Sequence, residues 1–280
     1  MTRTNTADTL EDNSSLEDIP SLKGCFPFRM GTSSYIVPAD ILPNVRVLAP
    51  LVDDVELVLF ESHEFSNLPD AATIAGLDQL QKEYDLTYTV HLPLDCQLGA
   101  PDQSQRQADI GKCLRTFELT EPLAPHAFIL HLHGEERGQE PARDIGKWQE
   151  RLLSSVRSLL DAGVPGRMLA VETLDYPFHL ALPIIEECGL SVCIDIGHLL
   201  LAGRDAAAHI KENRQRCRVI HLHGVREGKD HVDIESIDNA ELEAIFTAVS
   251  DVSGPECVIT LEVFDEEIFR KSAKKMIDFT

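Results

Sequence analysis

Eight short apolar runs rich in β-branched residues alternate with amphipathic stretches, and this alternation restricts the fold more than any other feature of the chain. The runs recur roughly every 20 to 40 residues, the spacing of repeated strand–helix units with parallel strands. The predicted strands are 26–33, 55–61, 86–92, 127–133, 168–172, 190–195, 217–223 and 257–262. The predicted helices are 71–84, 104–119, 142–162, 206–215, 239–250 and 265–276. Segment 40–52 is a weaker helix candidate, because Pro43 and Pro50 interrupt it.

Eight such units predict an α/β fold, a single (β/α)8 TIM barrel over residues 21–280, preceded by a disordered, acidic tail at 1–20. The alternative is an open, doubly wound sheet. Polar residues at the carboxyl ends of nearly all the runs favour the barrel. A barrel brings those ends to one mouth, whereas an open sheet would hold the outer ends far apart. These residues are Glu61, His91, His131, His133, Glu172, Asp195, His198, His221, His223 and Glu262.

The composition excludes several classes of protein. The formal net charge is −22, and a surface of that sign repels DNA, which proteins bind through cationic side chains. No apolar stretch approaches the roughly 18 residues of a membrane span, and the polar N-terminus lacks the apolar core of a secretory signal. The seven irregularly spaced cysteines fit a reducing compartment. We therefore predict a cytoplasmic protein that acts on a small molecule and has neither nucleic acid nor a membrane as a partner.

Two strand ends carry the same His-x-His-Gly phrase, first at His131 and His133 and again at His221 and His223. Along a strand, residues i and i+2 point to the same side, so each phrase places two imidazoles on one face. An apolar strand gives no structural reason for such a pair to occur twice. The repetition therefore predicts a metal site or an acid–base site.

The polar strand ends together predict more than one metal ion. Glu172, Asp195 and Glu262 end otherwise apolar strands, where a buried carboxylate needs a partner. Mixed imidazole and carboxylate ligands suit zinc, manganese or iron(II). About nine candidate ligands are too many for one ion and are enough for two or three. His133 and His223 are predicted instead to donate hydrogen bonds to a substrate phosphate or to a ligand carboxylate.

At these residues the chain resembles the xylose isomerase-like barrel superfamily, which includes apurinic-site endonucleases and many sugar isomerases and epimerases. The endonuclease branch holds three zinc ions with histidines and carboxylates. The resemblance implies metal ligands at His91, His131, Glu172, Asp195, His198, His221, His231 and Glu262. The superfamily's Asp-x-His after the seventh strand is changed here, because Lys229 stands two residues before His231, which leaves Asp230 or Asp233 as the substitute.

Longer phrases resemble the CbiR family of cobamide-remodelling hydrolases within this superfamily. They lie at 26–45, 53–62, 86–95, 171–178, 191–201 and 217–231. This resemblance implies metal-assisted hydrolysis of the phosphodiester in the nucleotide loop of a corrinoid substrate, such as adenosylcobalamin or pseudocobalamin. The lower-ligand nucleoside would leave and cobinamide phosphate would remain. Glu172 and Glu262 would be the catalytic bridging residues, and His133, His223 and Lys229 would bind the substrate.

Two other functions are consistent with the same residues. A sugar isomerase or epimerase would hold one manganese-like ion with Glu172, Asp195, His221 and Glu262, and the two glutamates would also move a proton next to a carbonyl. That chemistry gives no task to His91, His131, His198 or His231, which ranks it second. A corrinoid- or metal-binding protein without turnover would instead saturate its metal with protein ligands.

Overall fold

The computed structural model describes residues 18–62, 65–250 and 257–280. Residues 1–17 of the predicted disordered tail lie outside this range. Of the three tail residues that are described, Ile19 is buried and packs with the main hydrophobic core. The part of the tail that the structure describes therefore already contributes to the core at Ile19.

Eight parallel strands close into a barrel, which confirms the predicted TIM-barrel fold. The barrel strands are β1 (Arg29–Ser33), β2 (Asp54–Val58), β3 (Thr87–His91), β4 (Phe128–Leu130), β5 (Leu169–Glu172), β6 (Ser191–Asp195), β7 (Cys217–Leu222) and β10 (Val258–Leu261). Their order around the barrel is β1-β10-β7-β6-β5-β4-β3-β2. Closure excludes the open sheet: on β1, Gly31 pairs with Asp54 of β2 and Met30 pairs with Ile259 of β10.

A short antiparallel hairpin, β8 (Gly224–Arg226) and β9 (Lys229–Val232), follows β7. Its two strands were not among those predicted from the sequence. Glu227 and Gly228 form its turn with positive φ values of 53° and 75°, the left-handed pair that a two-residue hairpin loop requires. The hairpin folds the chain after β7 back towards the barrel mouth, so that His231 can reach the site.

Helices pack around the barrel, and most of them begin at an aspartate. The helices are α1 (Ile41–Leu48), α2 (Ala71–Tyr84), α3 (Gln103–Thr120), α4 (Ile145–Asp161), α5 (Leu182–Cys188), α6 (Ile196–Leu201), α7 (Ala206–Asn213), α8 (Asn239–Ser250) and α9 (Glu266–Ile277). Asp70, Asp102, Asp144, Asp195, Asp205 and Asp265 each accept a hydrogen bond from a backbone N–H of the first turn, which stabilises these helix starts.

Three helices differ from the sequence expectation. Segment 40–52 does contain a helix, α1, because Pro43 lies in its first turn, where a backbone N–H has no intrahelical acceptor to lose. Helices α5 and α6 were not predicted, because seven and six residues are too few to show a helical repeat. No helix among the described residues combines the length and the apolar character of a membrane-crossing segment.

Candidate metal centre

The polar side chains of the site lie on the inward faces of neighbouring barrel strands, directly above a layer of buried apolar side chains. Ala127, Ile129, Ala170, Cys193 and Val219 form a buried cluster of their own, separate from the surrounding core. Two positions after Ala170, Cys193 and Val219, the same strands carry the polar side chains of the site. Residues i and i+2 share a face of a strand. Each of these strands therefore carries an apolar inward side chain and, two residues later, a polar inward side chain.

Glu172, at the end of β5, lies at the centre of the site and is 1% exposed. Its Oε2 is 2.8 Å from His131 Nε2 and 3.4 Å from His91 Nε2. Its Oε1 is 3.5 Å from His198 Nδ1. One carboxylate thus contacts imidazoles that follow the strands on both sides of β5, as expected of a carboxylate that bridges two metal ions.

A second group surrounds His221 of β7, whose side chain is fully buried. Its Nδ1 is 3.2 Å from Glu262 Oε2, 3.7 Å from Glu172 Oε2 and 3.8 Å from Asp195 Oδ2. Four strands therefore direct one nitrogen and three carboxylates to a common point. These are the four residues that the sequence analysis assigned to a single manganese-like ion.

A third group consists of three histidines: His198 of α6, His223 after β7, and His231 of β9. Each offers a ring nitrogen, and these atoms lie within 4.8 Å of one another. His223 is fully buried, with its Nε2 3.1 Å from Asp195 Oδ1, and its Nδ1 accepts a hydrogen bond from the backbone N–H of His231 at 3.0 Å. His231 has a φ of 51°, an uncommon backbone conformation for a residue other than glycine that is often found at functional sites.

The close packing of Gly197 against His223 gives a direct test of this third group. A Cβ at residue 197 would lie 1.9 Å from His223 Cε1, so Gly197→Ala must displace the imidazole although alanine favours the helix. We expect the affinity for zinc, measured by titration calorimetry, to fall about tenfold or more. Gly146→Ala is the matched control, since Gly146 is also the second residue of a helix and its nearest contact would be 3.6 Å away. Wild-type affinity in Gly197→Ala would contradict a role for His223.

The donor atoms fit a divalent cation. His221 Nδ1 and Glu262 Oε2 are buried, and neither has a hydrogen-bond partner among the described residues. Buried polar atoms are rarely left without a partner. Around Glu172, the nitrogens of His91 and His131 complete a further group within 4.8 Å. Neutral imidazoles and carboxylates are the ligands that zinc, manganese and iron(II) prefer.

The charged groups of the site shift one another's pKa values. Burial disfavours a charged imidazole, but the hydrogen bond with Glu172 and the neighbouring carboxylates outweigh it and raise the pKa of His91 to about 9. At His223, the nearby carboxylate of Asp195 likewise outweighs the effect of burial, and the pKa of His223 also rises to about 9. Although burial opposes their charged forms, nearby histidines hold the pKa of Glu172 and of Asp195 well below the usual range. A cation that binds here must therefore displace protons from histidines.

The predicted substrate-binding residues lie in different environments. His133 is partly buried, with its Nε2 2.9 Å from the Leu94 carbonyl oxygen and 3.2 Å from His131 Nδ1. Burial and the neighbouring His131 lower the pKa of His133 to about 4, so its ring is neutral at pH 7. Lys229 is exposed on β9. His223 has no exposed surface, so it reaches Asp195 and His231 rather than solvent.

The two aspartates considered as substitutes in the changed Asp-x-His motif lie in different environments. Asp230 is exposed on β9. Asp233 is buried but binds Arg226, with its Oδ1 3.1 Å from Nη2. His223 lies next to His198 and His231, and the ring nitrogens of these three histidines are within 4.8 Å of one another. The His-x-His phrase contained this signal, but a strand pattern alone does not show that its second histidine meets α6 and β9.

The sequence-based prediction of where the second strand ends was wrong. Glu61 lies beyond β2 and pairs with Arg115, its Oε1 2.7 Å from Nη2. The carboxylate that β2 contributes to the site is Glu56, which is fully buried and lies 2.9 Å from His221 Nε2. Alternation along β2 placed Glu56 on the same face as Asp54, but an uninterrupted run from 55 to 61 does not show where the strand ends.

Comparisons with known proteins agree with this architecture. A family model described as "Xylose isomerase-like TIM barrel" matches residues 52–279. No curated protein matches the chain by sequence. Among solved structures, a D-tagatose 3-epimerase-like protein is 16% identical with a TM-score of 0.72, covering 90% of this chain and 97% of that one. An L-ribulose 3-epimerase is 18% identical with a TM-score of 0.66, covering 90% and 94%.

Endonuclease IV from Thermus thermophilus is 16% identical with a TM-score of 0.65, covering 90% of this chain and 98% of that one. At such identities, the likeness to solved structures establishes the fold alone. The family model matches every barrel strand except β1. The chain therefore belongs to the xylose isomerase-like TIM barrel family.

Proposed function

We propose that this protein is a metal-dependent phosphodiesterase that cleaves the nucleotide loop of cobamides to give cobinamide phosphate and the lower-ligand nucleoside. The observation that carries the proposal is the number of histidines around Glu172. His91 and His131 lie on one side of it, and His198 lies on the other. These residues extend the site well beyond the ligands of a single ion, and phosphodiester hydrolysis uses such multinuclear sites.

The cobamide substrate is proposed from the phrases that resemble the CbiR family, since the comparisons reach the superfamily and no further. The surroundings of the site are compatible with a large, partly apolar molecule. Phe264 is 43% exposed and its ring centroid is 5.0 Å from that of His231. Leu94, 37% exposed, lies beside His133. The net charge of −22 weighs against DNA as the substrate.

Three sets of residues would each bind one cation. Glu172, His91 and His131 would hold one ion, while Asp195, His221 and Glu262 would hold another with Glu172 shared between them. His198 and His231, supported by His223, would hold a third. When bound, such ions supply Lewis acidity to the phosphoryl group and make a water molecule acidic enough to attack at neutral pH.

The protein's own residues would orient the substrate and the ligands. In the reaction, the water oxygen bonds to phosphorus, the bond from phosphorus to the ribose oxygen breaks, and that oxygen takes up a proton. Lys229 lies exposed on β9, where it would neutralise charge on the phosphate. His133 would orient His131 through its 3.2 Å contact. The buried His223 would fix Asp195 and the backbone of His231 rather than touch the substrate.

Incubation with adenosylcobalamin tests the proposal. Metal-replete protein should convert it to cobinamide phosphate and free lower-ligand nucleoside, identified by mass spectrometry. A sample depleted of metal with a chelator should form neither product, and restored zinc or manganese should recover activity. An unchanged corrinoid would reject the cobamide substrate. Products formed at full rate after verified metal removal would keep the substrate and reject the metal mechanism.

A sugar epimerase is the second candidate, and one observation favours it. Glu172, Asp195, His221 and Glu262 alone form a complete set for one ion, and two solved structures with the same fold are described as 3-epimerases. The two glutamates would then move a proton next to a ketose carbonyl. Incubation with ketose sugars and manganese, with detection of the epimer by chromatography, would support this alternative.

A further inference from the structure

Glu56 is a buried carboxylate on β2 whose side chain contacts the metal centre. Both Glu56 and His221 have fully buried side chains, and His221 Nε2 lies 2.9 Å from Glu56 Oε2. A carboxylate can only accept a hydrogen bond, so the hydrogen in this contact belongs to Nε2. A neutral imidazole carries one ring hydrogen, and its other nitrogen, Nδ1, is then left with a free lone pair.

The free nitrogen of His221 faces the carboxylates of the site. Its Nδ1 lies 3.2 Å from Glu262 Oε2 and 3.7 Å from Glu172 Oε2. This nitrogen is buried and lacks a hydrogen-bond partner within the described part of the chain. Glu56 therefore contacts the ring on the side opposite to the one that would bind a cation.

We propose that Glu56 is a positioning residue, which holds His221 with its hydrogen on Nε2 and presents Nδ1 to a divalent cation. The inference rests on the metal centre of the proposed function and identifies the residue that orients one of its ligands. A buried carboxylate is costly to desolvate, and here the hydrogen bond to His221 compensates for that cost. Removing such an outer partner typically weakens metal binding about 10- to 100-fold.

Glu56→Gln is the informative variant, because glutamine has nearly the same volume but lacks the charge and can itself donate to the ring. Asp54→Asn is its matched control. Asp54 lies two residues earlier on the same face of β2, is equally buried, and accepts a hydrogen bond from Thr87 Oγ1 at 2.6 Å. Both changes remove one buried carboxylate from the barrel interior. Only the first removes the partner of His221.

Zinc titration calorimetry measures the effect without any substrate. In Glu56→Gln, we expect one ion to bind about 10- to 100-fold more weakly, with the wild-type number of ions at saturation. In Asp54→Asn, we expect wild-type affinity. Unchanged affinity in Glu56→Gln, or equal losses in both variants, would overturn the proposal. Loss of one whole ion at saturation would make Glu56 a ligand and would also overturn it. If Glu56→Gln does not fold, Glu56→Asp takes its place, because aspartate keeps the charge on a shorter side chain. One ion should then bind more weakly than in the wild type, with a loss smaller than the 10- to 100-fold expected for glutamine.

Nitrogen-15 NMR of the histidine rings gives a second readout that a purely structural role would not change. In zinc-loaded wild-type protein, His221 should carry hydrogen on Nε2 and metal on Nδ1, and this signature should weaken in Glu56→Gln. Hydrogen on Nδ1 in the wild type would contradict the proposal. Wild-type zinc binding that is insensitive to Glu56 would reject this inference alone. An effect of Glu56 on zinc binding without cobamide hydrolysis would reject the proposed function alone.

Discussion

Glu172→Gln is expected to lower hydrolytic activity by more than about 100-fold, because the loss of a bridging ligand should exceed the 10- to 100-fold cost of losing an outer partner. Glu172 contacts His91, His131 and His198 within 3.5 Å. Glutamine keeps the volume of the side chain but offers a single, neutral oxygen. The measurement is the initial rate of cobinamide phosphate formation at saturating metal.

The barrel should stay folded in Glu172→Gln, because the histidines around position 172 can lose a proton rather than remain as unpaired charges. Far-ultraviolet circular dichroism checks this. Glu61→Gln is the matched control, since Glu61 pairs with Arg115 outside the site and should be dispensable. A Glu172→Gln variant with wild-type activity would reject the bridging role, and an equal loss in Glu61→Gln would point to a general effect of charge at the mouth.

Metal should stabilise the protein more at pH 9 than at pH 6.5. The carboxylates around His91 and His223 raise the pKa of each to about 9, against opposition from burial. A histidine with a raised pKa stabilises the folded state fully below its unfolded pKa of about 6.5, and this contribution is lost as the pH rises through about 9. Metal-depleted protein should therefore lose stability across this interval. Its Tm should fall on the order of 5 °C or more.

Metal binding has the opposite pH dependence. Zinc needs neutral imidazoles, so its affinity increases as the histidines lose their protons between pH 6.5 and 9. The increase in Tm caused by a fixed zinc concentration should therefore grow with pH across this interval, as measured by differential scanning calorimetry. Gly146→Ala, in which the nearest contact of the added Cβ would be Asp144 Oδ1 at 3.6 Å, should show the wild-type dependence. A metal-induced shift in Tm that is constant or smaller at pH 9 would contradict the proposal that zinc binding displaces protons from the histidines of the site.

At acidic pH, protonation of the carboxylates limits the stability of the metal-depleted protein. Burial raises the pKa of Glu172 and of Asp195, but neighbouring histidines outweigh it and hold both well below the usual range. A carboxylate with a lowered pKa contributes stability above its unfolded pKa of about 4, and this contribution is lost as the pH falls through the folded value. The metal-depleted site should therefore be most stabilising between about pH 5 and 6.5, where both sets of charges are present.

The barrel was predictable because its signal is repeated. Each strand is a compact apolar run, and polar residues such as His91, Glu172 and Asp195 follow at its carboxyl end. A closed barrel brings these ends together, so a one-dimensional pattern predicted a three-dimensional cluster. The structure places these three residues within one connected set of contacts around Glu172.

What the sequence missed depends on contacts between distant segments. The end of β2 at Val58 is set by its pairing with His91 of β3, and no local pattern distinguishes Glu56 from Glu61 as the inward carboxylate. The role of His223 likewise depends on His231, which the β8–β9 hairpin brings back to the site. Helix α6 was missed because it is short and starts directly at Asp195, a residue that both ends a strand and caps a helix.

The number of divalent ions bound per chain tests most directly the central claim that the barrel mouth holds a multinuclear centre around Glu172. Metal-depleted protein would be reconstituted with zinc, separated from free metal by gel filtration, and analysed by inductively coupled plasma mass spectrometry. We expect two or three ions per chain in the wild type and at least one fewer in Glu172→Gln. A single ion in both would contradict the multinuclear centre and would favour the epimerase.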